Sequence, residues 1–203
     1  MVMRVSSPTR PDAEVTGARA RTRRAILDAA ASVWARDRTA TLADVARAAG
    51  VGRTTLHRYF PDRARLVEAL VLDAYTAIDQ ASVDAAMEQG TAREALRRLI
   101  HGMIGEGEKI SFLFGEATST DSTYDFSQDD EEEDDFDRRF EQLVARGKAS
   151  GEFASDLADG WIISAVWSLI YAGVGAANEG TLPRHGVAEA VIRCVEGGIT
   201  PAS

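Results

Sequence analysis

The residues best suited to chemistry stand in one short block, Arg53, Thr54, Thr55, Leu56, His57, Arg58, Tyr59 and Phe60. On a helix, Leu56 and Phe60 share a face because they are four apart, which leaves Arg53, Thr54, His57 and Arg58 on another face with Tyr59 between. Cationic and small hydroxyl side chains in that pattern suit the major groove of DNA. Arg53 or Arg58 can donate two hydrogen bonds to a guanine, and Thr54 can meet a base edge or a thymine methyl; Thr55 and His57 can reach phosphate oxygens. Upstream, Arg19, Arg21, Arg23 and Arg24 offer further cations. Arg21 is the best placed of them for a phosphate or the minor groove, the competing reading being a solvated basic face.

Other chemistry is thin. The three histidines are scattered, and Cys194 falls on the expected apolar stripe of the last helix, away from an electropositive helix N-terminus that would favour a thiolate. No GxSxG, HExxH, phosphate-binding loop or paired-cysteine metal motif occurs, so no catalytic residue, metal site or cofactor is expected. The run Asp129–Asp135 has the charge to attract cations but lacks the glycine and ligand spacing of an EF-hand, and reads as a solvated loop. The expected class is a DNA-binding protein without enzymatic activity. A helical adaptor with a basic protein-binding face is the alternative and an enzyme a more distant one; the adaptor would bind protein salt-sensitively without selecting a DNA sequence.

A groove-reading block needs a scaffold. From Arg19 to Arg38, Ile26, Ala30, Val33 and Trp34 recur at helical spacing. Thr41 then stands ahead of Leu42, Val45, Ala46 and Ala49, with Asp44 three residues on to favour the helix N-terminus. Gly50-Val51-Gly52 interrupts after two turns, so the reading is helix, tight turn, helix. Pro61 ends the block, and Asp62 caps a longer helix whose inner line is Leu66, Leu70, Ala74, Ile78 and Ala81. Residues 1–17, with Pro8 and Pro11 and no apolar period, form a flexible arm.

The net charge of -9 argues against nucleic acid when taken as an average. Its distribution argues otherwise. Residues 1–65 hold 13 arginines and 6 acidic side chains, whereas residues 66–203 hold 10 basic and 26 acidic ones. Such asymmetry fits a nucleic-acid-binding end joined to something else.

These residues resemble the tetracycline-repressor (TetR) family of bacterial regulators. The likeness lies in Arg24-Ala25-Ile26-Leu27-Asp28-Ala29-Ala30, in Thr41 to Val51, in Thr55 to Phe60, and in Arg63 with Leu66, about 45 of 203 residues. The resemblance implies that the Thr41 hydroxyl, the outward positions from Arg53 to Tyr59 and the Arg63 cation touch a double-stranded DNA operator. It further implies a homodimer that a small-molecule effector releases from a palindromic operator, repression being the family default. Three positions depart from the usual pattern: Gly52 replaces a capping Ser or Thr, His57 a Tyr, and Arg63 a Lys. Glycine still caps, histidine keeps a donor that is pH-sensitive, and arginine keeps the charge while adding a planar fork.

Downstream the pattern stays helical. Thr91 and Glu94 form a capping box before Leu96, Leu99, Ile100 and Met103. An apolar stretch at 110–114 precedes the polar segment, after which Phe136, Phe140, Leu143 and Val144 resume the period. Residues 161–177 are apolar on every face and read as a buried helix rather than a membrane span, and Val187, Val191, Cys194 and Val195 mark a last helix. The whole chain reads all-α: a helix-turn-helix domain at 18–65 and a ligand-binding and dimerisation domain at 66–203, cytoplasmic and with no membrane partner. Pocket candidates on apolar faces are His101, Met103, Phe112, Phe114, Phe140, Trp161 and Trp167. The resemblance places the dimer interface in the last two long helices, with Trp167, Ile170, Val174, Val187, Val191 and Val195 as candidates.

Overall fold

The computed structural model describes residues 17–119, 124 and 135–200. All but Gly17 of the expected arm, and all but Asp135 of the acidic run, lie outside them. The described residues contain no strand and nine α-helices: α1 (Gly17–Trp34), α2 (Leu42–Ala48), α3 (Arg53–Tyr59), α4 (Arg63–Asp84), α5 (Ala92–Gly105), α6 (Gly107–Ala117), α7 (Asp135–Ala149), α8 (Asp159–Asn178) and α9 (Val187–Ile199), with a single 3-10 turn, Arg184–Gly186, before α9. They group into two compact units, residues 17–76 with 108–119 and residues 77–107 with 135–200. The long helix α4 therefore contributes its first part to one unit and its last turns to the other.

In the first unit, α1 buries Ile26, Leu27, Ala30, Ala31 and Trp34. It stops at Trp34, short of the expected Arg38. There Asp37 accepts hydrogen bonds from the Thr39 amide (2.9 Å) and hydroxyl (2.6 Å), a local turn that competes with helix. These bonds also hold the Asp37 carboxyl below its ordinary range. Helix α6 joins this unit through its apolar face, with the Phe112 ring stacked on Trp34 at 6.0 Å. Ion pairs surround that contact: Arg36 with Glu108 (3.3 Å), Lys109 with Asp73 (3.2 Å), and Asp73 with Arg24 (2.9 Å).

In the second unit, α5, α7, α8 and α9 pack on one another. The start of α5 is capped by its own Thr91–Glu94 box and by the Glu152 carboxylate, which accepts the amides of Ala92 (3.2 Å) and Arg93 (3.0 Å). The turn before it carries Ala86 at φ 45°, a conformation costly for a side-chain-bearing residue. Arg98 holds that turn by donating to the carbonyls of Ala85, Ala86 and Gln89, and Arg146 does so through Met87 and Glu88.

Helix α8 is long and apolar enough to cross a membrane by length and composition. It nevertheless buries Ile162, Ile163, Val166, Trp167, Ile170, Gly173 and Val174 inside this chain. Close approach to α9 depends on Gly173, where a Cβ would lie 2.7 Å from a methyl of Val191 and 3.0 Å from one of Val187. These contacts bear on the expected interface. Trp167, Ile170, Val174, Val187, Val191 and Val195 all face the core of their own unit. Burial within the chain leaves them little surface of their own. The outward face of α8 carries Trp161, Ser168, Tyr171 and Ala172 instead. Cys194 is exposed, and the inner line of α9 is completed by Ile192 and Ile199.

Candidate nucleic-acid interface

The turn between α2 and α3 sets the geometry of the block that reads as groove-facing. Gly50 takes φ +66°, and the Val51 amide reaches back to the Ala46 carbonyl at 3.0 Å, a Schellman-type ending that needs the left-handed residue. Helix α3 then begins at Gly52, which caps without a side chain. Leu56 and Phe60 are buried, while Arg53, Thr54, His57 and Arg58 are exposed; Thr55 and Tyr59 are half-buried. The face expected to meet DNA is thus continuous and free of apolar side chains. Arg58 lies over the Tyr59 ring, 5.8 Å from its centre, so the two flank one another on that face.

His57 is more constrained than its sequence suggests. Its Nδ1 is 3.0 Å from the carbonyl oxygen of Pro61. A carbonyl only accepts, so Nδ1 carries the proton. In the neutral ring Nε2 then presents a lone pair, and only the protonated ring offers a second donor to a phosphate.

Thr41 and Asp44 form a reciprocal cap at the start of α2. The Asp44 amide donates to Thr41 Oγ1 (3.3 Å), while Thr41 donates its amide (2.9 Å) and its hydroxyl (2.6 Å) to the Asp44 carboxylate. These bonds, the hydroxyl's first, lower the Asp44 pKa. They also engage the Thr41 hydroxyl, expected to meet DNA, within the cap. Its single hydroxyl proton is already given to Asp44, which leaves it no donor for a phosphate in this arrangement.

Arg63, also expected to meet DNA, is engaged within the protein. At the first residue of α4 its guanidinium turns inward, donating to the Ala40 carbonyl (3.0 Å) and the Arg38 carbonyl (2.7 Å) and lying 4.3 Å from the centre of the Trp34 ring. Burial lowers its pKa from the ordinary value. Nothing in the local sequence reveals this, because two of its three partners are backbone oxygens. An open cleft of about 500 Å³ lies beside it, bounded by residues 38–42, Glu116 and Ser119.

Among the upstream arginines, Arg21 is exposed. Arg24 is taken up by Asp28 (3.1 Å) and Asp73 (2.9 Å), and Arg23 lies over Phe60 at 5.8 Å.

The pocket candidates divide between the units. Phe112 and the half-buried Phe114 belong to the first. In the second, Phe140 and Trp167 meet through Phe136, which sequence reasoning had placed only on the helix period; its ring lies 5.9 Å from Phe140 and 5.7 Å from Trp167. Met103 is fully buried on α5. His101 is exposed, with Nε2 3.5 Å from a Glu189 oxygen. Trp161 is 64% exposed, contrary to the buried apolar face expected of it, because it begins the outward side of α8. No group of three or more metal-ligating side chains occurs among the described residues.

The family model for bacterial regulatory proteins of the tetR family matches residues 26–70, which spans α2, α3 and their flanking helices. The chain is 36% identical over 191 residues to the HTH-type transcriptional repressor LfrR of Mycolicibacterium smegmatis, covering 94% of this chain and 96% of that one. It is 31% identical over 144 residues to the HTH-type transcriptional regulator NfxB of Pseudomonas aeruginosa, covering 70% and 74%. Among solved structures, LfrR from Mycobacterium smegmatis in complex with proflavine superposes with a TM-score of 0.66 at 33% identity, over 92% of this chain and all of that one.

Proposed function

Because the chain belongs to the TetR family of bacterial regulators and is a ligand-responsive DNA-binding regulator, we propose that it acts as a homodimeric repressor that a flat aromatic cation releases from a two-fold symmetric operator. The observation that carries the DNA side is the exposed face of α3. Arg53, Thr54, His57 and Arg58 stand outward together on the helix after the Gly50 turn, with Leu56 and Phe60 buried behind them. Residues 18–65 supply the DNA contacts, with Arg53, Thr54 and Arg58 reading bases and Arg21, Thr55, protonated His57 and Tyr59 reaching the backbone. Residues 66–203 sense and dimerise.

Two features support the rest of the reading. The outward face of α8 presents Trp161 and Tyr171, both substantially exposed, beside the small Ser168 and Ala172. An apolar face of that kind suits a second copy of the chain. The relative bound to proflavine, the acidic surplus of residues 66–203 and the Phe136, Phe140 and Trp167 cluster favour a planar cation as effector. A ligand releases DNA only by binding the non-docking conformation better, and about 1.4 kcal/mol of difference gives tenfold release.

The test is selection of duplexes from a random pool by the purified protein at about 150 mM salt, with Arg58→Ala in parallel and proflavine added to the bound pool. A symmetric motif that the variant fails to enrich and proflavine elutes supports every part of the reading. A motif without symmetry removes the dimer, elution by no aromatic cation removes the effector class, and no enrichment with or without stripping of copurified ligand removes the DNA reading.

A further inference from the structure

We propose that Arg63 is a positioning residue of the DNA-binding unit, fixing the turn that starts α2, and that it does not neutralise a phosphate. The inference rests on the DNA-binding reading above and concerns how that surface is held in place.

Between the end of α1 at Trp34 and the start of α2 at Leu42 the chain makes a turn whose carbonyls have no helical partners. Two of them, Arg38 and Ala40, receive the two terminal nitrogens of Arg63 at 2.7 and 3.0 Å. The same Ala40 oxygen accepts the Trp34 indole N–H at 3.0 Å, so both of its lone pairs are used. Ala40 immediately precedes Thr41, the cap of α2. One guanidinium and one indole therefore converge on the carbonyl that leads into the first helix of the helix-turn-helix.

The arrangement uses what is particular to arginine. A planar fork reaches two oxygens at once while its face rests on an aromatic ring; an ammonium is a point charge that does neither. The pairing commits one N–H of each terminal nitrogen to the turn and rests the guanidinium on the Trp34 ring, so the fork is aimed at backbone oxygens. Turning the fork outward to a phosphate would strip the Arg63 donor from the Arg38 carbonyl and leave the Ala40 carbonyl with its indole bond alone. On the other side of the turn, Arg38 donates to Glu116 of α6 at 2.9 Å, and Glu116 is 4% exposed. The turn is thus held from α4 and from α6, with the charge of Arg63 directed into the protein.

If the turn slackens, only a fraction of molecules present α2 and α3 correctly, and the apparent affinity falls by that fraction at every salt concentration. Losing a phosphate contact instead reduces the dependence of log affinity on log salt by about 0.9. Wild type, Arg63→Lys, Arg63→Ala and Trp34→Phe are compared by titrating a duplex selected by the wild-type protein across about 50–200 mM salt, and by hydrogen exchange of residues 35–48 without DNA. The expected result is on the order of tenfold weaker binding for Arg63→Lys as well as Arg63→Ala with the wild-type slope, and faster exchange in α2. Trp34→Phe, which keeps a ring under the guanidinium while removing the indole donor and part of a buried ring, gives a loss with the same wild-type slope and serves if Arg63→Ala does not fold. Wild-type affinity in Arg63→Lys, a reduced slope in Arg63→Ala, or unchanged α2 exchange overturns the proposal. Because exchange is read without DNA, a protein that selects no duplex defeats the DNA reading while the role of Arg63 in the turn is still decided.

Discussion

Adding one methyl group at Gly173 should loosen the second unit by a measurable and specific amount. A Cβ there would stand 2.7 Å from a Val191 methyl and 3.0 Å from a Val187 methyl, where ordinary contact begins near 3.4 Å. Both neighbours are β-branched and keep a restricted χ1 on a helix, so neither turns aside cheaply. Relief requires α9 to move away from α8 by several tenths of an ångström. Overpacking of this size costs about 1–3 kcal/mol, a substantial share of the roughly 5–15 kcal/mol that stabilises a domain. Net of the about 1 kcal/mol that alanine gains over glycine inside a helix, Gly173→Ala should lower the urea midpoint at fixed protomer concentration, with a slope of about 2 kcal/mol per molar, by up to about 1 M. The clash names its own remedy. Val191→Ala alone costs about 2 kcal/mol through lost burial, but it also clears the space a Cβ needs. The double variant should therefore be more stable than the sum of the single losses by about 1 kcal/mol or more. Additive effects of the two substitutions would refute the close α8–α9 approach.

Three other outcomes follow from the described geometry. Arg58→Ala should reduce affinity for the selected duplex by about 1–3 kcal/mol while leaving binding to random DNA nearly unchanged, as measured by competition titration; equal losses on both would assign Arg58 to the phosphates. Since the Pro61 carbonyl accepts the Nδ1 proton of His57, His57→Ala should loosen the end of α3 and speed amide exchange of residues 57–62 in hydrogen exchange read without DNA; unchanged exchange there would refute that role for the bond. The Glu152 carboxyl is lowered first by the Arg93 amide, with further bonds from Ser150 and Ala92. A depressed carboxylate stabilises fully above its unfolded pKa and loses that contribution as pH falls through the folded value. Acid unfolding followed by circular dichroism should accordingly show Glu152→Gln less stable than wild type at neutral pH, with the gap closing in acid; a gap constant with pH would contradict the cap.

The helix-turn-helix was legible because its signals are local. Thr41 with Asp44 three residues on, the turn at Gly50, and Leu56 and Phe60 four apart each act through near neighbours in sequence, and the structure has the cap, the left-handed glycine and the buried pair where those residues put them. What was not legible depends on partners distant in the chain or without side chains. Arg63 reads as a surface cation because its acceptors, the Arg38 and Ala40 carbonyls, leave no trace in residue type. Helix α6 reads as a bare apolar stretch because its place is fixed by Trp34, far upstream.

The inward turn of α8 has a different cause. Hydrophobic periodicity identifies which residues avoid water but not which surface covers them. In α8 the apolar residues surround the helix, so sequence alone cannot divide those that meet α9 from those left for a partner. The division rests on size. Gly173 lets Val187 and Val191 in on one side, which draws Ile170 and Val174 into the chain's own core. Trp161 and Tyr171, lying off that contact, are left outside. Replacing a small residue on the inner face should therefore change the stability of each chain, whereas replacing Trp161 or Tyr171 should change association between chains. On the proposed reading, folding and dimerisation would then depend on opposite sides of α8, and a regulator whose recognition helices must keep a fixed spacing could alter the second without unfolding the first.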